Sequence, residues 1–223
     1  MSLTLAFDIY GTLIDTAGVT RSLEKQIGDR APLFSMRWRE KQLEYSFRRS
    51  LMAQYREFSI CTRDALNYTC ESLGEPLPER VKRALLEEYR YLPVFPDVAK
   101  ALQTLKDGGD RLYAFSNGVP EDLNSLLRHA GINDLFLDIV SVHEIKKFKP
   151  APEVYHHFLQ KTESTASESW LISSNSFDIL GAMGIGMNTA WVRRTPANVF
   201  DPWGGKPTTT IQSLAELPVH LHN

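Results

Sequence analysis

Leu3-Thr4-Leu5-Ala6-Phe7-Asp8-Ile9-Tyr10-Gly11-Thr12-Leu13 decides the fold. A short apolar run that ends at a glycine turn reads as a buried strand. The carboxylate of Asp8, directly after that run, would emerge at the edge where open parallel sheets bind ligands. Working outward, further apolar runs fall at residues 111–115, 139–142, 170–172 and 189–192. Helical patterns separate them at 97–106, 121–130, 152–160 and 177–183, three of which open near Pro or Asp. This alternation predicts an α/β chain with a doubly wound, mostly parallel sheet.

Residues 14–95 break the alternation. They carry helical periodicity and almost no strand signal, so they are expected to form an all-helical insertion after the first strand. Leu43, Phe47 and Leu51 recur every four residues, and Leu66, Cys70 and Leu73 are similarly spaced, which predicts amphipathic helices packed on one another. Pro93 and Pro96 mark the return to the core. The expected division is a core of 1–13 and 96–223 with a cap of 14–95 over the carboxyl ends of the strands. The tail after Asp201 is rich in Gly, Pro and Thr before a short helix near Leu214.

With 223 residues, 43% of them hydrophobic, the chain can bury a substantial core, which excludes disordered and fibrous classes. Its 25 basic and 27 acidic residues leave a formal charge of -2, so no global field draws it to nucleic acid or an anionic membrane. An anionic substrate must be held locally. The first residues read as a strand rather than a signal peptide, and no apolar run suffices for a membrane span. Cys61 and Cys70, if on one helix, stand roughly 13 Å apart, too far for a disulfide, and two reduced cysteines fit a cytoplasmic protein.

Polar side chains follow several of the strand-like runs: Asp8; Ser116 and Asn117; Lys149; and Ser173, Ser174, Asn175 and Asp178. All would converge on one sheet edge, with Lys149 able to hold the Asp8 carboxylate ionised. Plainer roles are open to each. A strand-end Asp or the 173–178 cluster suits helix capping, Arg39 sits among Arg37, Glu40, Lys41 and Glu44 as on any charged helix face, and Tyr155 and Phe177 suit a core. The six His residues form no metal-ligand set with Cys.

These residues resemble the haloacid dehalogenase-like superfamily, whose pattern is an Asp nucleophile, a Ser or Thr, a Lys and a terminal acid at four strand ends. In detail they are similar to its (S)-2-haloacid dehalogenase branch: Phe7-Asp8-Ile9-Tyr10-Gly11-Thr12-Leu13, Ser116-Asn117-Gly118, Lys149-Pro150 followed by Tyr155, and Ser173-Ser174-Asn175-Ser176-Phe177-Asp178. Trp38-Arg39-Glu40-Lys41-Gln42-Leu43-Glu44-Tyr45 is similar to that branch's substrate-facing cap helix, with Glu40 where a neutral Gln is usual; an added anion there is expected to weaken acid binding.

The resemblance implies a homodimer that converts small (S)-2-haloacids and water to (R)-2-hydroxyacids and halide through an ester on Asp8, without cofactor or metal. It implies that Thr12, Ser173, Asn175 and Asp178 position Lys149, Asp8 and the water, and that Ser116 holds the substrate carboxylate. Arg39, Asn117 and Phe177 would cradle the halide, and Tyr10 and Tyr155 would line the pocket. The superfamily's phosphatases usually carry a second Asp two residues after the nucleophile as a general acid. Tyr10 stands there instead, and a halide leaves without a proton. A Mg²⁺-dependent phosphatase and a non-catalytic relative that binds small carboxylates are the alternatives.

Overall fold

In the computed structural model, which describes residues 2–222, the opening run forms β1 (Thr4–Phe7), buried at every position. A strand can be buried on both faces where helices cover both, as in parallel sheets. It pairs with β2 (Arg111–Ser116) on one side and β4 (Ser169–Ser173) on the other. With β3 (Asp138–Ser141), β5 (Asn188–Val192) and β6 (Thr209–Ile211) the sheet runs β3-β2-β1-β4-β5-β6, all parallel. This is the doubly wound α/β sheet expected from the sequence. β6 is an addition, because three residues at a sheet edge carry too little alternation to be read.

Successive strand side chains point to opposite faces. Leu5, Phe7, Leu112 and Ala114 pack against α5 (Val98–Asp107) and α6 (Pro120–His129), while Ala6, Tyr113, Phe115 and Leu171 pack toward α7 (Pro152–Lys161) and α8 (Ser176–Met183). Both α6 and α7 begin on Pro, with acidic residues in the first turn and basic ones in the last, the arrangement that suits the helix dipole. The chain crosses from β3 back past β1 to β4, so the sheet's switch point lies between β1 and β4.

Four further helices lie between β1 and α5: α1 (Ala17–Ile27), α2 (Ala31–Leu51), α3 (Phe58–Ser72) and α4 (Glu79–Glu88). The outgoing and returning segments run side by side, Asp15 N donating to Pro93 O at 2.8 Å and Phe95 N to Leu13 O at 3.0 Å. The expected packing face of α2 is corrected. Its buried residues are Ala31, Phe34, Trp38, Lys41, Gln42 and Ser46, whereas Leu43 and Phe47 are half-buried and Leu51 is 88% exposed. The face turned to α3 is defined by Trp38, whose Nε1 donates to Thr62 O at 2.8 Å. On α3, Leu66 and Cys70 are buried as their spacing predicts. Among the described residues, no helix is long and apolar enough to cross a membrane.

Candidate active site

Parallel register brings Phe7 level with Ala114 and with Ile172, so the residues that follow each strand emerge together. Asp8, 8% exposed, is fixed through its backbone, whose N–H donates to Ile172 O at 3.0 Å. Its Oδ2 accepts from Thr12 Oγ1 at 2.8 Å and Asn175 Nδ2 at 2.9 Å, and its Oδ1 faces Lys149 Nζ at 3.3 Å. The turn that carries Thr12 back to its own strand end uses Gly11 at φ 82°, the left-handed region that favours glycine.

Lys149 is 1% exposed, and a buried ammonium is tolerated only when paired and hydrogen-bonded. Besides Asp8, its Nζ donates to Asp178 Oδ2 at 2.8 Å and Phe115 O at 2.9 Å, and it lies 4.2 Å from the centre of the Phe115 ring. Its backbone N–H donates to Asn117 Oδ1 at 3.0 Å. The other oxygen of Asp178 accepts from the Tyr155 hydroxyl at 2.8 Å. Burial pushes the Asp178 carboxyl up from its ordinary range against the pull of Lys149, and burial with the neighbouring Asp178 charge raises Tyr155 well above its own. Tyr155 therefore stays a proton donor. Gly181 makes room for it: a Cβ there would stand 2.4 Å from the Tyr155 hydroxyl.

Helix α2 reaches this edge through Arg39. Its Nη1 donates to Gln42 Oε1 at 2.6 Å and its Nη2 faces Asn175 Oδ1 at 3.4 Å. Gln42 Nε2 donates in turn to Thr62 Oγ1 at 2.5 Å, and Thr62 to Phe58 O at 2.9 Å. One chain of hydrogen bonds thus runs from α3 through Arg39 and Asn175 to Asp8. Burial lowers Arg39 from its ordinary value while the Asp8 carboxylate acts to raise it; a guanidinium remains charged regardless. Asn175 stands at the N-cap of α8, yet its side chain makes no capping bond. That side chain is committed to Asp8 and Arg39.

Between the helices inserted after β1 and the strand ends lies a cavity of about 740 Å³ lined by Tyr10, Arg39, Gln42, Tyr89, Ser174 and Asn175 among others. Tyr10 meets Tyr89 edge to face at 6.0 Å, and Tyr89 meets Trp38 at 5.7 Å. Burial raises both phenols, Tyr10 beyond the range of ordinary titration and Tyr89 to about 12.

Asp8, Thr12, Lys149, Asn175 and Asp178 form one hydrogen-bonded cluster, with Arg39 and Tyr10 at its cavity side. Ser173 is fully buried and reaches the cluster only through Asn175, its Oγ accepting from the Asn175 N–H at 3.1 Å. Ser116 is buried with its Oγ accepting from Gly118 N at 3.2 Å, and it is Gly118 that lines the cavity. Asn117 is 8% exposed, its Oδ1 held by the Lys149 backbone N–H. Tyr155 is fully buried and donates its hydroxyl to Asp178. The Phe177 ring stands edge-on to Phe47 of α2 at 5.2 Å, so it links the strand-end cluster to the helical insertion. Glu40 departs from expectation, for it is exposed and faces Arg37 at 3.6 Å, turned away from the cavity.

Sequence reasoning did not single out Gln42, Thr62, Tyr89 or Gly181. Gln42 lies three residues after Arg39, on the same helix face, which is the one signal that pointed to it. The others are brought in by packing between distant elements.

Residues 3–186 match the family model of the haloacid dehalogenase-like hydrolases. The chain is 38% identical to the (S)-2-haloacid dehalogenase of Pseudomonas sp. strain YL over 94% of its length and 90% of the relative. It is 35% identical to haloacetate dehalogenase H-2 of Moraxella sp. strain B over 97% and 96%. Its structure is similar to that of the L-2-haloacid dehalogenase of Xanthobacter autotrophicus with chloropropionic acid covalently bound, at a TM-score of 0.90, 30% identity and 98% of each chain. The chain belongs to the haloacid dehalogenase-like hydrolases, in their (S)-2-haloacid dehalogenase branch.

Proposed function

We propose that the protein hydrolyses small (S)-2-haloacids to (R)-2-hydroxyacids and halide through a covalent ester on Asp8, without a metal ion. The observation that carries this reading is the setting of Asp8: a carboxylate held by Lys149, Thr12 and Asn175, with Tyr10 and not an acid beside it. A carboxylate oxygen of Asp8 attacks the halogen-bearing carbon; the carbon–oxygen bond forms as the carbon–halogen bond breaks, and the halide leaves with the electron pair. Water then adds to the ester carbonyl of Asp8, the acyl–oxygen bond breaks, the hydroxyacid departs, and a proton is released to solvent.

Substrate carboxylate and Asp8 are both anions, so their approach in a shielded site needs offsetting cations. Lys149 serves Asp8 and Arg39 the departing halide, with the Asn117 amide beside it. Ser116 and the backbone at Gly118 take the substrate carboxylate, and Thr12, Ser173, Asn175 and Asp178 hold the machinery. Both Asp178 oxygens are already bonded, one to Lys149 and one to Tyr155, which supports a reaction that uses the ammonium where a divalent cation would otherwise sit. Burial holds the Tyr10 phenol proton far more tightly than an Asp carboxyl holds its own, so Tyr10 is a poor general acid for a leaving alcohol, which disfavours a phosphatase.

Residues 14–95 act as the cap that excludes water from this site. The two free, buried cysteines support a cytoplasmic location. Leu33, Met36, Leu51 and Met52 of the α2 region, each more than half exposed, support a homodimer built through the cap, to be checked by sedimentation; a single-chain species throughout would remove it.

The test is halide release from (S)-2-chloropropionate with and without EDTA, combined with one turnover in heavy-oxygen water. EDTA-resistant release, abolished by Asp8→Asn, with the label appearing in Asp8, is the expected result. Phosphate ester hydrolysis that depends on Mg²⁺, with no halide released, would overturn it.

A further inference from the structure

We propose that Arg194, just beyond β5 and remote in sequence from every motif above, is a positioning residue for the Asp8 turn; this rests on the reading of Asp8 as the nucleophile. Its side chain is 10% exposed. Nε and Nη2 converge on a single acceptor, the backbone carbonyl of Thr12, at 3.1 and 2.6 Å. Nη1 donates to both oxygens of Asp97, at 2.9 and 2.7 Å, and the guanidinium lies 4.1 Å from the centre of the Phe95 ring. Asp97 is itself fixed by Ser213 Oγ at 2.9 Å and Leu214 N at 2.7 Å.

Arg194 therefore ties three separate pieces of chain to one residue of the nucleophile turn. That residue is the one whose hydroxyl donates to Asp8 Oδ2 at 2.8 Å and accepts from Ser174 N at 2.8 Å. The Thr12 carbonyl and hydroxyl belong to one residue of a tight turn, so a guanidinium that holds the carbonyl restrains the backbone from which the hydroxyl reaches Asp8. Displacement of an attacking group by about 1 Å lowers rate by roughly 100-fold without any change in what the substrate touches. The planar fork explains the residue type: Lys has no rigid pair of donors to aim at one oxygen while holding a carboxylate with the rest.

The experiment compares Arg194→Gln, Arg194→Lys, Thr12→Val and the Arg194→Gln/Thr12→Val double variant under conditions where urea titration shows each to be folded. Halide release in the first turnover and KM for (S)-2-chloropropionate are measured. Arg194→Gln is expected to slow the first turnover roughly 10- to 100-fold with KM within about twofold, and Arg194→Lys to recover only part of the rate. The double variant should be no slower than the slower single variant, because both act on the same Asp8 contact. A merely structural role would lower stability without this split or this non-additivity. If Arg194→Gln does not fold, Asp97→Asn loosens the same guanidinium and carries the test, with a several-fold loss expected. A folded variant with the unaltered first-turnover rate, or independent effects in the double variant, overturns the proposal. Absence of halide release by the unaltered protein strikes the dehalogenase reading instead.

Discussion

Gln42 carries no charge and touches no reacting atom, yet its Oε1 fixes one arm of the Arg39 guanidinium and its own amide is anchored on Thr62. The Arg39 side chain on α2 has several rotatable bonds, and the proposed role of aiming it at a halide requires that they be restrained. Gln42→Leu keeps the volume and removes the anchor. The first-turnover rate is expected to fall about tenfold, less than the 100-fold or more that follows loss of a direct donor. Glu40→Gln, by contrast, alters an exposed residue paired with Arg37 and should leave rate and KM within about twofold, since exposed pairs contribute little. Unaltered kinetics in Gln42→Leu would remove it from the site, and a large gain in affinity in Glu40→Gln would restore its anion to the pocket. Adjacent letters in the sequence gave no means to tell these two apart; only the helix face does. Asp8 and Asp178 were singled out by position, because one directly follows an apolar run and the other opens the helix after one, whereas only the family resemblance pointed to Thr12.

Asp97 opens α5 without capping it, and its carboxylate instead joins the start of that helix to Arg194 and to Ser213 and Leu214. Burial acts to raise its pKa, but the Arg194 and Leu214 hydrogen bonds outweigh it and hold the carboxyl below its ordinary value. A depressed folded pKa contributes stability that is present above the unfolded value, about 3.9 for Asp, and is lost as pH falls through the folded value. Asp97→Asn should therefore lower unfolding free energy by about 1–3 kcal/mol at neutral pH, with the gap closing below about pH 4. Urea titrations at neutral and acid pH measure it, and a gap that does not change with pH would show that charge is not the cause. At this scale the sequence was most legible where a single period ruled: five of the strands and the helices between them follow from alternation and from Pro and Gly. It was less so for α2, where Leu43, Phe47 and Leu51 lie on a half-exposed face while Trp38, Lys41 and Gln42 are buried. Apolar spacing identifies a helix but does not say which neighbour it meets. Asn175 shows the converse, an ideal capping residue whose side chain is drawn away by the site.

The whole chain is slightly acidic, with a formal charge of -2, yet both the proposed substrate and its nucleophile are anions. The charge is unevenly placed: Arg39, Arg63, Arg83 and Arg90 line the cavity against Glu87 and Asp122. Arg90 is paired with Asp122 at 2.9 Å across the mouth, from the end of α4 to α6, and Arg63 with Asp64 at 2.9 Å on its own helix. Low-dielectric walls concentrate the field of the remaining positive charge at the opening, so an anion is drawn in although the molecule as a whole repels it. Charges this exposed act over about 8 Å at physiological ionic strength and three to four times farther in dilute buffer. kcat/KM for a 2-haloacid is therefore expected to fall several-fold between about 0.01 M and 0.15 M of a non-halide salt, with kcat nearly constant because Lys149 and Arg39 are shielded from the solvent ions. Arg83→Gln should lower kcat/KM in dilute buffer and flatten the salt dependence, while leaving the first-turnover rate at saturating substrate unchanged. Equal salt dependence in the variant and the unaltered enzyme would mean that the rim takes no part in capture, and that attraction begins only at Arg39.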